Sequence, residues 1–329
     1  RYADRSRGLG DVYKRQGRGD GDRYFAAPWC TEAILAGGVL VAAGLLTSTA
    51  RKGRKDRLPV AAWYLIAGPW WLLLTLVTAA IPGLDGLPAT LRSWFSVSAL
   101  TGLWLAAAGV GVAYYLIGSL VDGAEFHPYL GRIGFWSLAL AWPWTAGRYL
   151  QYGPTPDWLE TIPVLFTAGL IVAAVAIVAD FGHALRGRWS SVRDAVPLWW
   201  VLAGAALFAV MPLQMFVQAL RGPSTVVHFT AWEEAVRLLT LFGPFTLWAL
   251  AAGHHVLPGL RGRRWPARAA ASHLVLALAG SAAAAVSRWI AGLQQGYTWI
   301  GAVETRDFDN FGEGFRNSVA PLEAMHWMQ

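Results

Sequence analysis

The chain has 329 residues, of which 55% are apolar and only 14% charged, against about a quarter charged in ordinary soluble domains. A soluble fold of this length would lack the charged surface needed to cover so many apolar side chains, so the composition excludes one and demands a bilayer as the solvent. The net charge of +7 sits in short loops between apolar runs, which argues against a nucleic-acid partner, and the lone Cys30 excludes an internal disulfide framework or a CxxC motif.

The first sixteen residues, RYADRSRGLGDVYKRQ, are charged, aperiodic and unlike the rest of the chain. Residues 1–24 are read as a non-native or disordered segment, and residues 25–329 as a single transmembrane helical domain. A spanning helix needs about 20 mostly apolar residues. Eight stretches qualify: Thr31–Ala50, Pro59–Ile81, Ser96–Val121, Gly131–Leu150, Leu159–Phe181, Val196–Leu220, Ala235–Leu257 and Arg268–Leu293. Glu233 and Glu234 stand just before the seventh, where acidic residues suit a helix N-terminus. Many of the 19 Trp lie near the ends of apolar runs, as in interfacial belts. The stretch Gln294–Gln329 is mostly polar and ends in EAMHWMQ, which looks like the approach to another helix; the chain reads as cut at both ends.

Positive charge sets the expected orientation. The loop after the first span, RKGRKDR, carries five Lys/Arg. Arg132 follows the third span, Arg186, Arg188 and Arg193 the fifth, and Arg261, Arg263, Arg264 and Arg268 the seventh. The other side has only Arg92, Arg148, Arg221, Arg306 and Arg316 beyond the N-terminal segment. The Arg-rich loops are therefore expected to face the cytoplasm. The seven Lys/Arg of residues 1–24 would then lie outside, against the rule.

Ionisable groups at membrane depth are costly and default to functional candidates. They are Arg148, Asp180, His183, Arg237 and Arg288. Most fall within a turn or two of an interface, where long side chains snorkel, so structural roles are the first expectation. Glu233 stands four residues before Arg237, a spacing that suits a local ion pair. His254 and His255 are adjacent, so they point about 100° apart on a helix and make a poor chelating pair. No nucleotide loop, HExxH or GxSxG is present.

Several segments together resemble the catalytic subunit of the cbb-type heme-copper oxidases, cytochrome c oxidase subunit I. RKGRKDRLPVAAWYLIAGPW looks like the join of that family's fourth and fifth spans. SWFSVSALTGLWLAAAGVGVAYYLIG, with Tyr114 and Tyr115, resembles its sixth. RYLQYGPTPDWLETI, with Pro156–Trp158, looks like the loop after its seventh. VVHFTAW resembles the lead-in to its tenth, RWIAGLQQGYTW the end of its eleventh, and LEAMH (Leu322–His326) the start of its last. They occur in order over residues 30–326. The resemblance implies an all-α polytopic bundle, with about eight of twelve spans present, in a bacterial inner membrane.

The family's chemistry rests on copper held by three histidines, facing a high-spin heme b, with a low-spin heme nearby. Carried over residue by residue, the copper-ligand His of the sixth span falls on Ser98 (or Val97). The His pair of the seventh falls on Arg148 and Tyr149, and its redox Tyr on Trp142. The two heme-ligand histidines of the tenth fall on Val236 and Leu238. His254 lies eighteen residues beyond Val236, about 27 Å along a helix, too far to stand in. His228 corresponds to a propionate-side residue.

The resemblance thus implies a divergent respiratory-chain subunit without metal or heme cofactors of its own, acting in structure or assembly alongside lipid and other respiratory-complex subunits. Arg148 is expected to pair with Glu233 or Glu234, so that Arg148→Ala would destabilise the fold. One alternative is an active heme-binding terminal oxidase or nitric oxide reductase subunit. Another is an unrelated transporter or membrane scaffold.

Overall fold

The computed structural model describes residues 29–53, 58–81, 86–262 and 265–305, and these are helical with no strand among them. Residues 1–28, 54–57 (the closing RKDR of RKGRKDR), 82–85, 263–264 and the tail from 306 on, containing LEAMH and His326, lie outside the described residues.

The first two spans are α1 (Trp29–Lys52) and α2 (Val60–Ala79). The third is one continuous helical rod: α3 (Leu87–Ala99), a π-helical stretch Leu100–Ala106, and α4 (Ala107–Leu120). It starts nine residues before the expected Ser96 because Pro88 sits in the first turn, where its missing N–H costs nothing.

The fourth span departs from expectation. The α-helix α5 (Leu130–Ala141) gives way to residues Trp142–Leu150, which wind on as a 3₁₀ helix. The switch falls at Trp142-Pro143, where proline removes one backbone donor and crowds the preceding turn. Seven helices among the described residues are long and apolar enough as they stand to cross a membrane, and this two-part element is not one of them. At 1.5 and about 2.0 Å rise per residue its two parts together still reach about 36 Å, beyond the roughly 30 Å hydrocarbon thickness.

Then come α6 (Asp157–Ala184), the short α7 (Trp189–Asp194), α8 (Val196–Ala219) and the short α9 (Arg221–Val227). The seventh expected span is α10 (Ala231–Thr240), a π-helical stretch Leu241–Phe245 and α11 (Thr246–Arg261). Thr230 caps α10 by accepting a hydrogen bond from Trp232 N, and Glu233 and Glu234 occupy the first turn as the sequence indicated. Gly243 has non-helical dihedrals beside Pro244, which kinks the span. The last helix, α12, runs Ala267–Thr305, so residues 294–305 are helical rather than a polar loop. Gln295 shows why: its side chain is buried and accepts a hydrogen bond from Ala231 N at 2.8 Å.

The core lies among α2, α4, α5, α6, α8 and α11. Trp142, Trp200, Trp248, Tyr64, Tyr114, Phe181 and Phe208 are its largest buried side chains. α5 packs along α6, α4 against α2, and α8 against both α6 and α11. α1 turns Ile34, Leu35, Val41 and Leu45 outward, and α12 does the same with Val275 and Leu276, as lipid-facing helices do.

Candidate functional site

The two π-helical stretches and the 3₁₀ helix converge on one cavity of about 210 Å³. The widened turns put Leu100, Thr101 and Leu105 on one wall and Leu241 on another, while Met215 of α8 closes a third side. π turns inside spans commonly mark functional places. The cavity gathers Val97, Ser98, Trp142, Arg148, Tyr149, Val236 and Arg237, residues that the sequence singled out on three separate spans.

The polar contacts are specific. Ser98 Oγ lies 3.3 Å from Thr145 Oγ1 and 3.4 Å from the Trp142 carbonyl. Thr145 donates to the same carbonyl at 2.7 Å. Gly102 lets the Trp142 indole lie against the third span, because a Cβ there would run into the ring. Thr240 is held on its own helix by the Val236 carbonyl at 2.8 Å.

Arg148 is 6% exposed. Its Nη1 donates to the Thr145 carbonyl at 2.9 Å and its Nη2 to Tyr149 Oη at 2.7 Å. The guanidinium lies over the Tyr149 ring at 4.3 Å, and that ring stacks on Trp94 at 4.2 Å. Its Nε has no hydrogen-bond partner. The expected pairing with Glu233 or Glu234 does not form, and among the described residues no carboxylate lies within ion-pair distance of Arg148. Both glutamates are turned elsewhere. Glu233 Oε1 sits 2.6 Å from His228 Nδ1 and accepts from Phe229 N at 3.3 Å, while Glu234 Oε2 pairs with Arg288 Nε on α12 at 3.4 Å. The His228 contact is close but not aligned as a linear hydrogen bond, since both ring nitrogens count as unsatisfied.

Two of the positions carried over from the family's heme and copper site lie apart from the cavity. Leu238 is two residues from Val236, hence on nearly the opposite side of α10, and does not line it. His228 is buried beyond the N-terminus of α10 against Tyr152 and Phe229. His254 and His255 do diverge. His254 Nε2 meets His273 Nδ1 of α12 at 3.4 Å, a partner nineteen residues away, and His255 faces Tyr115.

A second polar centre, at the Arg188 end of the bundle, was only half visible in the sequence. Asp180 is fully buried. Its Oδ2 accepts from Tyr114 Oη at 2.9 Å and its Oδ1 from His127 N at 2.7 Å. Tyr64 stacks on Tyr114 at 5.9 Å. The available signal was a lone carboxylate in an otherwise apolar span, since such a group needs donors from neighbouring elements.

Chemically, the described residues of the cavity lining offer hydroxyls, one phenol, one indole, one thioether and two guanidiniums, with no imidazole, thiolate or carboxylate among them. Nor do any three His, Cys, Asp or Glu cluster in a metal-holding arrangement among the described residues.

Fold and cavity together define a multi-pass helical membrane protein with a cationic chamber at the meeting of three distorted spans. The sequence matches the family of cytochrome c and quinol oxidase polypeptide I over residues 16–329, and the chain belongs to that family. It is 24% identical over 243 residues to a cytochrome c oxidase subunit 1 homolog of Agrobacterium tumefaciens (strain T37), covering 72% of this chain and 44% of that protein. It is 22% identical over 240 residues to the cbb3-type cytochrome c oxidase subunit CcoN1 of Stutzerimonas stutzeri, covering 72% and 49%. A cytochrome c oxidase subunit 1 homolog of Azorhizobium caulinodans is 21% identical over 296 residues, covering 84% and 52%. The chain spans about half the length of these relatives.

Proposed function

We propose that this chain is a family member without a metal reaction centre, a subunit that keeps the oxidase bundle for a structural or assembly role and does not reduce oxygen. The supporting observation is the chemistry around the cavity. The positions that correspond to copper ligands are Ser98, Arg148 and Tyr149, and those that correspond to heme ligands are Val236 and Leu238. Copper and heme iron take neutral imidazole nitrogen. A valine and a leucine offer no donor, and a serine hydroxyl is a poor substitute. A guanidinium has only donors and a fixed positive charge, so it repels a cation. The residues present do not fit a copper ion.

On this reading the Arg-rich loops face the cytoplasm of a bacterial inner membrane, and the outward apolar faces of α1 and α12 meet lipid or other subunits of a respiratory complex. The names of the relatives favour a second reading, an active oxidase subunit. That reading needs imidazoles from elsewhere at these positions.

The two are separated by expressing the full-length gene in membranes and recording a reduced-minus-oxidised heme spectrum with metal analysis. The expected result is no copper bound in proportion to protein. A b-type heme with stoichiometric copper would overturn the proposal.

A further inference from the structure

The cavity contains a charge that the described residues leave uncompensated. Arg148 is buried and cationic, its Nε is unpartnered, and no carboxylate of the described residues reaches it. Two backbone and phenolic oxygens and one aromatic face satisfy part of the guanidinium, but none carries a negative charge. Burying a charged group without a counter-charge is strongly unfavourable, and a guanidinium does not escape by losing its proton. Arg237 brings a second guanidinium to the same lining.

The rest of the wall is apolar, formed by Leu100, Leu105, Val236 and Leu241. Leu241 is 37% exposed, so the apolar wall includes a residue that also reaches the outside of the bundle. An apolar cavity of about 150 Å³ is large enough to hold benzene. This one, at about 210 Å³, has room for a charged head and a short apolar body.

We infer that the chamber binds a monocarboxylate carrying an apolar chain, its carboxylate on Arg148 and its chain along the leucine wall. The inference rests on the metal-free reading above, since a copper ion and this anion would compete for one space. Carboxylate suits the site because its two oxygens match the planar donor edge of a guanidinium. A fully hydrated inorganic anion would gain nothing from the apolar wall. The acid has two sources, a soluble short-chain acid or the head of a bilayer fatty acid.

The test uses the full-length protein, purified in detergent and freed of lipid, with its heme and copper content measured on the same sample. Thermal unfolding is followed with octanoate, octanol and inorganic phosphate. Octanoate is expected to raise the unfolding temperature in a saturable way, with octanol and phosphate leaving it unchanged. Arg148→Gln should weaken the apparent octanoate affinity at least tenfold. An equal shift with octanol, an equal shift with phosphate, or an unchanged affinity in Arg148→Gln would overturn the inference.

If Arg148→Gln fails to fold, Thr101→Phe decides. It fills the chamber and leaves Arg148 in place, so loss of the octanoate shift supports the inference and its retention contradicts it. Native mass spectrometry of protein taken straight from membranes separates the sources. A retained long-chain acid displaced by octanoate identifies the bilayer, and an empty chamber that octanoate fills identifies a soluble acid. A metal-free sample that ignores octanoate defeats this inference alone. A sample with heme and stoichiometric copper defeats the metal-free reading as well.

Discussion

Asp180 and Arg148 are both ionisable, both buried, and carried at opposite ends of the same bundle, yet they are treated differently. Each oxygen of Asp180 receives a donor from a neighbouring element, Tyr114 Oη on one side and His127 N on the other. Arg148 has lone-pair oxygens and an aromatic ring but, among the described residues, no opposite charge, and its Nε has no hydrogen-bond partner there. The first group is part of how the bundle holds together. The second is a cation maintained in an apolar chamber, which is what a binding site looks like before its ligand is counted. Burial alone therefore does not tell a structural polar group from a functional one; the completeness of its partners does.

The largest effect is expected at the satisfied centre. Asp180→Ala leaves the buried Tyr114 hydroxyl and the part-buried His127 N–H without an acceptor, at about 1–3 kcal/mol for a buried donor, so unfolding in mixed micelles should show a loss of about 3 kcal/mol. Asp180→Asn keeps the shape and an acceptor, and should cost less than about 1 kcal/mol by the same measurement. If Asp180→Ala proves neutral, the contrast between the two ends collapses.

Next comes the packing that shapes the chamber. Gly102→Ala pushes a methyl into the Trp142 indole, and overpacking of this kind costs about 1–3 kcal/mol. The same unfolding assay should find it clearly destabilised.

Arg148→Leu should be much milder without added anion, within about 1 kcal/mol in either direction, because replacing an uncompensated buried charge by an apolar group is often neutral or favourable. A loss as large as that of Asp180→Ala would mean that Arg148 is structural after all. Smallest of all is Glu234→Gln. Glu234 is 45% exposed where it meets the buried Arg288, and glutamine keeps an oxygen to accept from the Arg288 guanidinium, so the loss should stay near that of solvent-accessible pairs, about 0–1 kcal/mol. Its unfolding curve should nearly overlay the wild type.

Much of the fold was legible in the sequence because membrane spans announce themselves by length and apolarity. What was lost at the ends has local causes. Pro88 starts a helix inside what reads as a loop, Pro143 tightens a span into a 3₁₀ helix, and Gln295 extends one through a polar stretch by bonding across to Ala231. The chamber was legible only as a set of substitutions. The resemblance picked out Ser98, Trp142, Arg148, Tyr149 and Val236, and these do meet around one space. Their partners were not legible, because complementary charge says nothing about which way a helix face turns. Arg148 looked like a partner for Glu233 or Glu234 by sign and depth, but the orientation of α10 gives Glu233 to His228 and Glu234 to Arg288. The His254–His273 contact was hidden for the same reason, lying between helices rather than along one.

Everything proposed for the chamber turns on the absence of an oxygen-binding centre from this chain. Carbon monoxide binds ferrous heme only where an axial position is open, so the reduced-minus-CO difference spectrum of the full-length protein is the most direct test. A flat spectrum is expected, even if a low-spin heme is held by some other part of the full-length protein. A CO-binding b-type heme accompanied by stoichiometric copper would contradict the proposal.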